Sequence, residues 1–310
     1  MRSIYSIIKK AKDYLINEDV VAIPTETVYG LAGNAYSDKS VKKIFSIKRR
    51  PYFNPLIIHY SNLKDLKKDC YINKEFTKLY NKFCPGPITF ILKKRPKSKI
   101  SKYAINNKKT VAVRFPKHKI TKKLLKILNF PVAAPSANIF SKLSSVSKSD
   151  VKDEFKNKIK FILDGGKSHI GIESTIISLI GKPKILRPGG LEKEKIEKVL
   201  NYKIKILKKT KNIVSPGQMN FHYSPGIPVR LNIKAPRKNE AFIQFKKNEK
   251  YKKNYFYLSQ NGNINEAAKK LYTLLRFIKK KKYKSIAVDK IPNKGLGVAI
   301  NDRLKKASFK

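Results

Sequence analysis

The chain has 310 residues, of which 41% are hydrophobic, so it is long enough for two domains that each bury a core. No run of about twenty apolar residues occurs, which argues against a membrane span, and the first residues carry too short an apolar run for a secretory signal. Its two cysteines, Cys70 and Cys84, form no CxxC pair, which argues against a disulfide framework and predicts reduced thiols in a cytoplasmic protein.

The net charge of +50 is typical of nucleic-acid-binding proteins, because a dense cationic surface gains affinity by releasing counterions. However, only ten of the 71 basic residues are arginine, and the lysines are spread along the chain. This distribution favours a solvated lysine coat over a dedicated nucleic-acid face.

The spacing of apolar residues predicts an α/β domain over residues 1–208. Helices are expected at 3–17, 38–48, in the lysine-rich segment up to 83, and at 120–128 and 192–200. Strands are expected at 20–23, 56–60, 88–92, 110–116, 171–177 and 185–187, with a strand and tight turn at 161–166. Residues 131–135 lead into Ser136-Ala137-Asn138. The helix that ends at Lys48 is expected to stop because of Pro51.

A linker is predicted at residues 209–229, where two Ser-Pro-Gly triplets supply turn chemistry around an aromatic stretch. Residues 230–310 are expected to form a small, Rossmann-like α/β domain. Its predicted strands are 242–245, 255–258 and 286–288, and its predicted helices are 265–280 and 298–307.

Several familiar catalytic patterns are missing. Phe161 stands where a phosphate-binding loop ending in Gly166-Lys167-Ser168 would need its first glycine. The four histidines never fall at metal-ligand spacing, and no GxSxG elbow occurs. Metal-dependent hydrolysis and covalent catalysis therefore have no support in the sequence.

What remains is a set of cationic and hydroxyl side chains suited to binding anions. Each of them alone is more often a surface ion pair or a helix cap, but the whole set favours one shared site. The set comprises Lys48, Arg50, Arg114, Arg187, Thr27, Ser136, Ser144 and Ser174.

Four ordered motifs resemble those of the YrdC family, the L-threonylcarbamoyladenylate synthases. They are Pro24-Thr-Glu-Thr-Val-Tyr-Gly30, Ile47-Lys-Arg-Arg-Pro51, Asn54-Pro-Leu-Ile-Ile-His59 and Ala133-Ala-Pro-Ser-Ala-Asn138. The stretch from Ser215 to Pro225 resembles the linker of the two-domain form, which folds back over the cavity. The resemblance covers nearly the whole chain and implies a twisted mixed sheet with a basic cavity.

The resemblance also implies a role for individual residues, with Lys48, Arg50 and Arg114 as the catalytic group. The threonine side would comprise Thr27, His59, Arg114, Ala134 and Ser174. The ATP side would comprise Lys48, Arg50, Asn54, Thr110, Ser136, Asn138, Ser144, Arg187, His222 and Tyr223. The residues after Ser144, Ser145-Val146, replace the family's usual Pro-Thr.

The implied reaction joins L-threonine, bicarbonate and ATP into L-threonylcarbamoyladenylate and releases pyrophosphate. ATP, accompanied by Mg²⁺, would be a substrate, with no organic cofactor and no protein-bound metal. The product would pass to a tRNA threonylcarbamoyl transferase complex, and direct contact between tRNA and the basic surface stays open.

Two alternatives remain. One is a non-catalytic RNA-binding module on the same fold, which the net charge of +50 motivates. The other is carbamoyl-adenylate chemistry in cofactor maturation, as in hydrogenase maturation proteins, which is disfavoured because zinc-finger cysteines and an acylphosphatase-like segment are missing from the sequence.

Overall fold

The computed structural model describes residues 4–207, 216, 217, 219, 222–248 and 253–309. Within them the first domain is built on a mixed nine-stranded sheet with strand order β1-β2-β6-β3-β5-β4-β7-β8-β9. Its strands are β1 (Val21–Ile23), β2 (Gly30–Asn34), β3 (Ile57–His59), β4 (Ile88–Lys93), β5 (Thr110–Arg114), β6 (Val132–Ala133), β7 (Thr175–Ser178), β8 (Lys184–Arg187) and β9 (Lys205–Ile206). The pairs β3–β5, β4–β7 and β8–β9 are parallel and the other neighbours antiparallel, which confirms the predicted mixed sheet.

The helices of this domain, apart from α6, follow the predicted apolar spacing. They are α1 (Ile4–Ile16), α2 (Asp38–Lys48), α3 (Leu63–Asp69), α4 (Lys74–Phe83), α5 (Lys119–Ile127), α6 (Lys148–Phe155) and α7 (Lys193–Leu200). Helix α2 begins at Ser37, whose side chain accepts a hydrogen bond from the Ser40 N–H. It ends at Arg49, which adopts the left-handed conformation with φ 51°, two residues before Pro51.

The second domain contains a parallel four-stranded sheet, in agreement with the expected small α/β domain. Its strands are β10 (Val229–Leu231), β11 (Glu240–Lys246), β12 (Tyr255–Ser259) and β13 (Ser285–Val288), in the order β10-β13-β11-β12. Its helices are α8 (Ile264–Lys280) and α9 (Leu296–Ser308). Its core continues into the first domain, because Leu271 and Ile300 belong to the same buried cluster as Val28 and Ile172.

Some elements differ from the sequence prediction. The expected strand at 161–163 forms an isolated β-bridge between Ala22 and Ile162. The Ala22 N–H donates to the Phe161 carbonyl, and the Leu163 N–H donates to the Ala22 carbonyl. Strands β2, β6, β9 and β10 and helix α6 were not predicted. They are short, and too few residues repeat for periodicity to reveal them.

The linker and the domain limits 1–208, 209–229 and 230–310 stay predictions. Of the predicted linker the structure describes residues 216, 217, 219 and 222–229. Residues 209–215, 218, 220 and 221 lie outside the described residues.

Candidate active site

A cavity with an empty volume of about 510 Å³ lies where loops and strand ends of the first domain meet residues of the predicted linker. It receives side chains from chain positions more than a hundred residues apart. The predicted site residues that line it are Arg50, His59, Arg114, Ala134, Ser136, Ser174, Arg187, His222 and Tyr223. The remaining lining residues are Thr25, Val28, Tyr29, Gly30, Ile57, Pro135, Glu173, Pro216 and Gly217.

Arg114 projects from the last residue of β5 and is only 4% exposed. Its Nη2 donates to Glu26 Oε1 at 2.6 Å, while the other carboxylate oxygen of Glu26 accepts from the Lys117 N–H at 3.0 Å. The Nε of Arg114 is buried and has no hydrogen-bond partner among the described residues. A buried donor without a partner costs about 1 to 3 kcal/mol, so an acceptor on a bound ligand would be favourable here.

Arg50 follows helix α2 and is held by the loop after it. Its Nε donates to the Asn54 carbonyl at 2.9 Å, and its Nη2 donates to Asn54 Oδ1 at 2.5 Å and to the Pro55 carbonyl at 3.0 Å. Asn54 thus orients the guanidinium and does not itself line the cavity. Burial, and then the charge of Arg187, lowers the pKa of Arg50 to about 9, so an anion bound in the cavity would stabilise its charged form.

Lys48 and Asn138 hold the loop that carries Ser136. The Nζ of Lys48, 1% exposed, donates to the carbonyls of Ser136 at 2.6 Å and Asn138 at 2.5 Å. The Nδ2 of Asn138 donates to the carbonyls of Ile139 at 2.7 Å and Lys142 at 3.0 Å. These bonds fix the loop that presents Ser136, so Lys48 and Asn138 act here through loop position and not as lining residues.

Ser174 and Arg187 form the opposite wall, at the start of β7 and the end of β8. The Nη2 of Arg187 donates to the Ser174 carbonyl at 2.9 Å and to its Oγ at 3.3 Å. The Ser174 hydroxyl also lies 2.8 Å from the hydroxyl of Thr89. Burial lowers the pKa of Arg187, so an anion in the cavity would stabilise its charged form.

Glu173 is a lining residue that the sequence reasoning missed. Its carboxylate accepts hydrogen bonds from Ser144 Oγ at 2.5 Å, from the Tyr272 hydroxyl at 3.0 Å and from Arg303 Nε at 2.7 Å. Ser144 therefore binds Glu173 and lies outside the lining of the cavity. The adjacent Ser174 marked this stretch in the sequence, but two of the three partners of Glu173, Tyr272 and Arg303, come from the second domain and could not be found by spacing.

Two further predicted residues, Thr27 and Thr110, do not line the cavity. Thr27 is fully buried, with its hydroxyl 2.8 Å from that of Thr25, and it is Thr25 that lines the cavity. Thr110 begins β5 opposite Lys93. It is four positions from Arg114, or roughly 13 Å along an extended strand, so it lies at the opposite end of β5.

The predicted linker contributes aromatic side chains. The His222 ring lies 4.0 Å from the Tyr223 ring and meets Phe140 edge-on at 5.9 Å. The Tyr223 hydroxyl is buried and has no hydrogen-bond partner among the described residues, and burial raises its pKa to about 12. It would therefore stay protonated and could donate to a ligand oxygen.

His59 is buried at the end of β3, and its Nδ1 lies 3.3 Å from the Ile57 carbonyl. Burial, followed by the charge of Arg114, lowers its pKa to about 3. The ring is therefore neutral at neutral pH. An Nδ1–H that donates to Ile57 leaves Nε2 as a hydrogen-bond acceptor.

The neutrality of His59 has a testable effect on stability. Between about pH 3 and 6.5 the unfolded chain binds a proton at this ring that the folded chain does not, so the free energy of unfolding should rise with pH by about 1.4 kcal/mol per unit. From pH 7 to pH 5.5 the parent should lose about 1.4 kcal/mol more than His59→Gln in urea unfolding. Equal losses in the two proteins would contradict this, and His169→Gln, at an exposed histidine, is the control.

Among the residues that the structure describes, no three His, Cys, Asp or Glu side chains are grouped to hold a metal ion. Over the same residues, no helix is both long and apolar enough to cross a membrane. Both cysteines are free thiols.

Comparisons with known proteins assign both parts of the chain. A family model described as "Telomere recombination", which unites Sua5, YciO and YrdC, matches residues 13–189, and the model of the threonylcarbamoyl-AMP synthase C-terminal domain matches residues 191–308. The threonylcarbamoyl-AMP synthase of Pyrococcus abyssi is 39% identical, over 97% of this chain and 94% of the relative. That of Bacillus subtilis is 34% identical, over 97% and 92%.

A solved structure agrees over the same length. The crystal structure of Pyrococcus abyssi Sua5 complexed with L-threonine superposes with a TM-score of 0.91 at 35% identity, covering 99% of this chain and 95% of that one. Full-length agreement in both sequence and fold extends the assignment to both domains. The chain therefore belongs to the threonylcarbamoyl-AMP synthase family, in its two-domain form.

Proposed function

We propose that this protein synthesises L-threonylcarbamoyladenylate from L-threonine, bicarbonate and ATP, with release of pyrophosphate. The observation that carries the proposal is the convergence of Arg50, Arg114 and Arg187 on one cavity. A solved relative was crystallised with L-threonine, and the curated relatives carry the name of this enzyme. The relatives cover both domains, which favours this reaction over the carbamoyl-adenylate chemistry of cofactor maturation.

On the threonine side, Arg114 is suited to hold the amino-acid carboxylate, because its Nε is a buried donor without a partner. The neutral His59 would accept a hydrogen bond from the substrate's hydroxyl or amine. Ala134 and Ser174 complete this wall, and Thr27 would act by holding Thr25. This assignment places a planar cation against a carboxylate, the pairing that arginine makes best.

On the ATP side, Arg50 and Arg187 would neutralise phosphate charge, and Ser136, His222 and Tyr223 would contact the nucleotide. Lys48, Asn54, Asn138 and Ser144 would act by holding these groups in place, as their hydrogen bonds indicate. A Mg²⁺ ion that accompanies ATP would be held mainly by phosphate oxygens, as is usual for this ion. Thr110 has no contact with the cavity that supports a direct role.

The chemistry needs no protein nucleophile. The threonine amine adds to the bicarbonate carbon with loss of water, and an oxygen of the resulting carbamate attacks the α-phosphorus of ATP, from which pyrophosphate leaves. Carbamates decompose in water, so a secluded cavity preserves the intermediate. Alignment of reactants supplies up to about 7 to 11 kcal/mol in favourable cases, and a removed charge-stabilising donor costs roughly 3 to 4 kcal/mol.

The proposed product is an activated acyl group, so a separate transferase must move it to the tRNA adenosine beside the anticodon. We include that transferase complex as a downstream partner. The lysine-rich surface is compatible with direct tRNA contact, but it has no feature that requires it.

The proposal is tested by incubating the protein with ATP, labelled bicarbonate and single amino acids, and measuring acid-labile adenylate and pyrophosphate. Threonine should give a strong signal. Serine lacks one methyl group, a difference worth only about 1 to 3 kcal/mol, so its kcat/KM should stay above about one thousandth of the threonine value. A lower serine value would contradict the expected weak discrimination.

The same assay separates the enzyme from the RNA-binding alternative. Absence of any threonine-dependent signal, together with tight and salt-sensitive tRNA binding, would support a non-catalytic module. Threonine-dependent pyrophosphate release would exclude a purely non-catalytic role.

A further inference from the structure

The second domain contributes a charged residue to the back of the cavity wall. Arg303, on α9, is only 1% exposed. Its Nε donates to Glu173 Oε2 at 2.7 Å, and its Nη2 donates to the Pro188 carbonyl at 3.0 Å. Its guanidinium also lies 4.8 Å from the centre of the Tyr223 ring. Arg303 therefore joins three parts of the site wall although it does not line the cavity.

Glu173 places a negative charge in a cavity that is otherwise basic. Burial alone would raise the pKa of this carboxyl, but Arg303 and Arg187 outweigh burial and lower its pKa to about 2. A carboxylate in this position would repel an anionic ligand. It would also attract any cation of the wall that is free to pair with it.

Arg187 is the cation of the cavity lining that could form an ion pair with Glu173. It lies close enough to Glu173 for each charge to shift the other's pKa. Nevertheless, the hydrogen bonds of Arg187 go to the carbonyl and hydroxyl of Ser174, whereas the carboxylate is taken by Arg303, Tyr272 and Ser144. Arg303 thus pairs with the Glu173 carboxylate, while Arg187 donates its hydrogen bonds to Ser174.

We propose that the second domain supplies Arg303 as the counter-ion of Glu173 and thereby keeps the charge of Arg187 available for a nucleotide phosphate. This inference rests on the proposed function, because it requires ATP in the cavity. Arg303 is a positioning residue, since it acts through Glu173 and touches no reactant. Without it, the buried Glu173 carboxylate would pair with Arg187 and cancel a charge that the ligand needs.

The first test measures binding of α,β-methylene-ATP by calorimetry to the full-length protein and to Arg303→Met. The variant should bind about 10- to 30-fold more weakly, within the range seen for residues that act through others. The matched control is Arg230→Met, which breaks the two hydrogen bonds of Arg230 to Glu240, at 3.0 and 2.6 Å, inside the second domain. The control should stay within about twofold of the parent. Equal weakening in both variants would overturn the proposal, because it would indicate general damage to the domain.

The second test is a rescue. In the double variant Arg303→Met with Glu173→Gln, the unpaired carboxylate is gone and Arg187 is free again, so binding should recover at least about threefold over Arg303→Met alone. If Arg303 acted through its contacts with Pro188 and Tyr223 instead, removing the Glu173 charge would bring no recovery. A double variant that binds as weakly as Arg303→Met, or more weakly, would therefore overturn the proposal.

A third variant covers the case in which Arg303→Met does not fold. Tyr272→Phe removes only the hydroxyl that donates to Glu173 at 3.0 and 3.1 Å, and it should weaken analogue binding about two- to fivefold. Unchanged binding in this variant would count against the proposal. The proposed function fails separately, if the parent binds the analogue but forms no adenylate from threonine.

Discussion

Arg114→Ala should abolish measurable threonine-dependent pyrophosphate release, with kcat/KM for threonine falling about a hundred- to a thousandfold. The reason is that the variant removes the buried donor that we propose binds the substrate carboxylate, at the end of β5. Steady-state pyrophosphate release at varied threonine concentration measures the effect. Turnover close to that of the parent would remove the assignment of the threonine side.

Two further variants test whether the loss of activity is specific to the guanidinium group of Arg114. Arg114→Ala also leaves the Glu26 carboxylate without its partner, so Arg114→Lys, which keeps a cation near Glu26 but loses the planar fork, should restore folding and little of the activity. Arg95→Ala, at an exposed arginine stacked on Tyr71, should leave activity unchanged. Full activity in Arg114→Lys would show that charge alone, and not the fork, matters.

Lys48→Met should lower both stability and activity. Methionine has similar length but no donor, so the carbonyls of Ser136 and Asn138 would lose buried hydrogen bonds, at a cost of about 2 to 4 kcal/mol in the free energy of unfolding. Because these bonds fix the loop of Ser136, kcat should also fall at temperatures where the variant is folded. Urea unfolding and pyrophosphate release measure the two effects.

The matched control for this prediction lies on the same helix. Lys42 is exposed, with its Nζ 4.4 Å from the Tyr103 ring, so Lys42→Met should change the free energy of unfolding by less than about 0.5 kcal/mol. If Lys48→Met unfolded like this control, the amine would not be what holds the loop. If it lost stability but kept full activity, the position of the loop would not limit catalysis.

Local elements were readable from the sequence because their causes are local. Helix α2 carries its cap at Ser37 and its buried stripe at Val41, Ile44 and Phe45, all within one segment. Likewise, the apolar run before Arg114 predicted a strand that ends in a charged residue. The ordered motifs then indicated one anion-binding site, because several of them contain cations or hydroxyls.

The hydrogen-bond partners of the predicted site residues were decided by the tertiary structure, because a hydrogen bond depends on spatial proximity and not on sequence spacing. Ser144 and Lys48 belong to motifs that suggest ligand contacts, yet they bind Glu173 and two backbone carbonyls. Thr110 shares a strand with Arg114, but the length of that strand separates them.

The sequence by itself determined that this chain is a two-domain α/β protein, because the period of its apolar residues is a local property. It also predicted an anion site of arginines and hydroxyls from the chemistry of those side chains. Only the tertiary structure decided that Glu173 stands in that site and that Arg303, 130 residues later, pairs with it. A buried charge needs an oppositely charged or hydrogen-bonding partner. That partner can belong to any segment of the chain that folding places next to the charge.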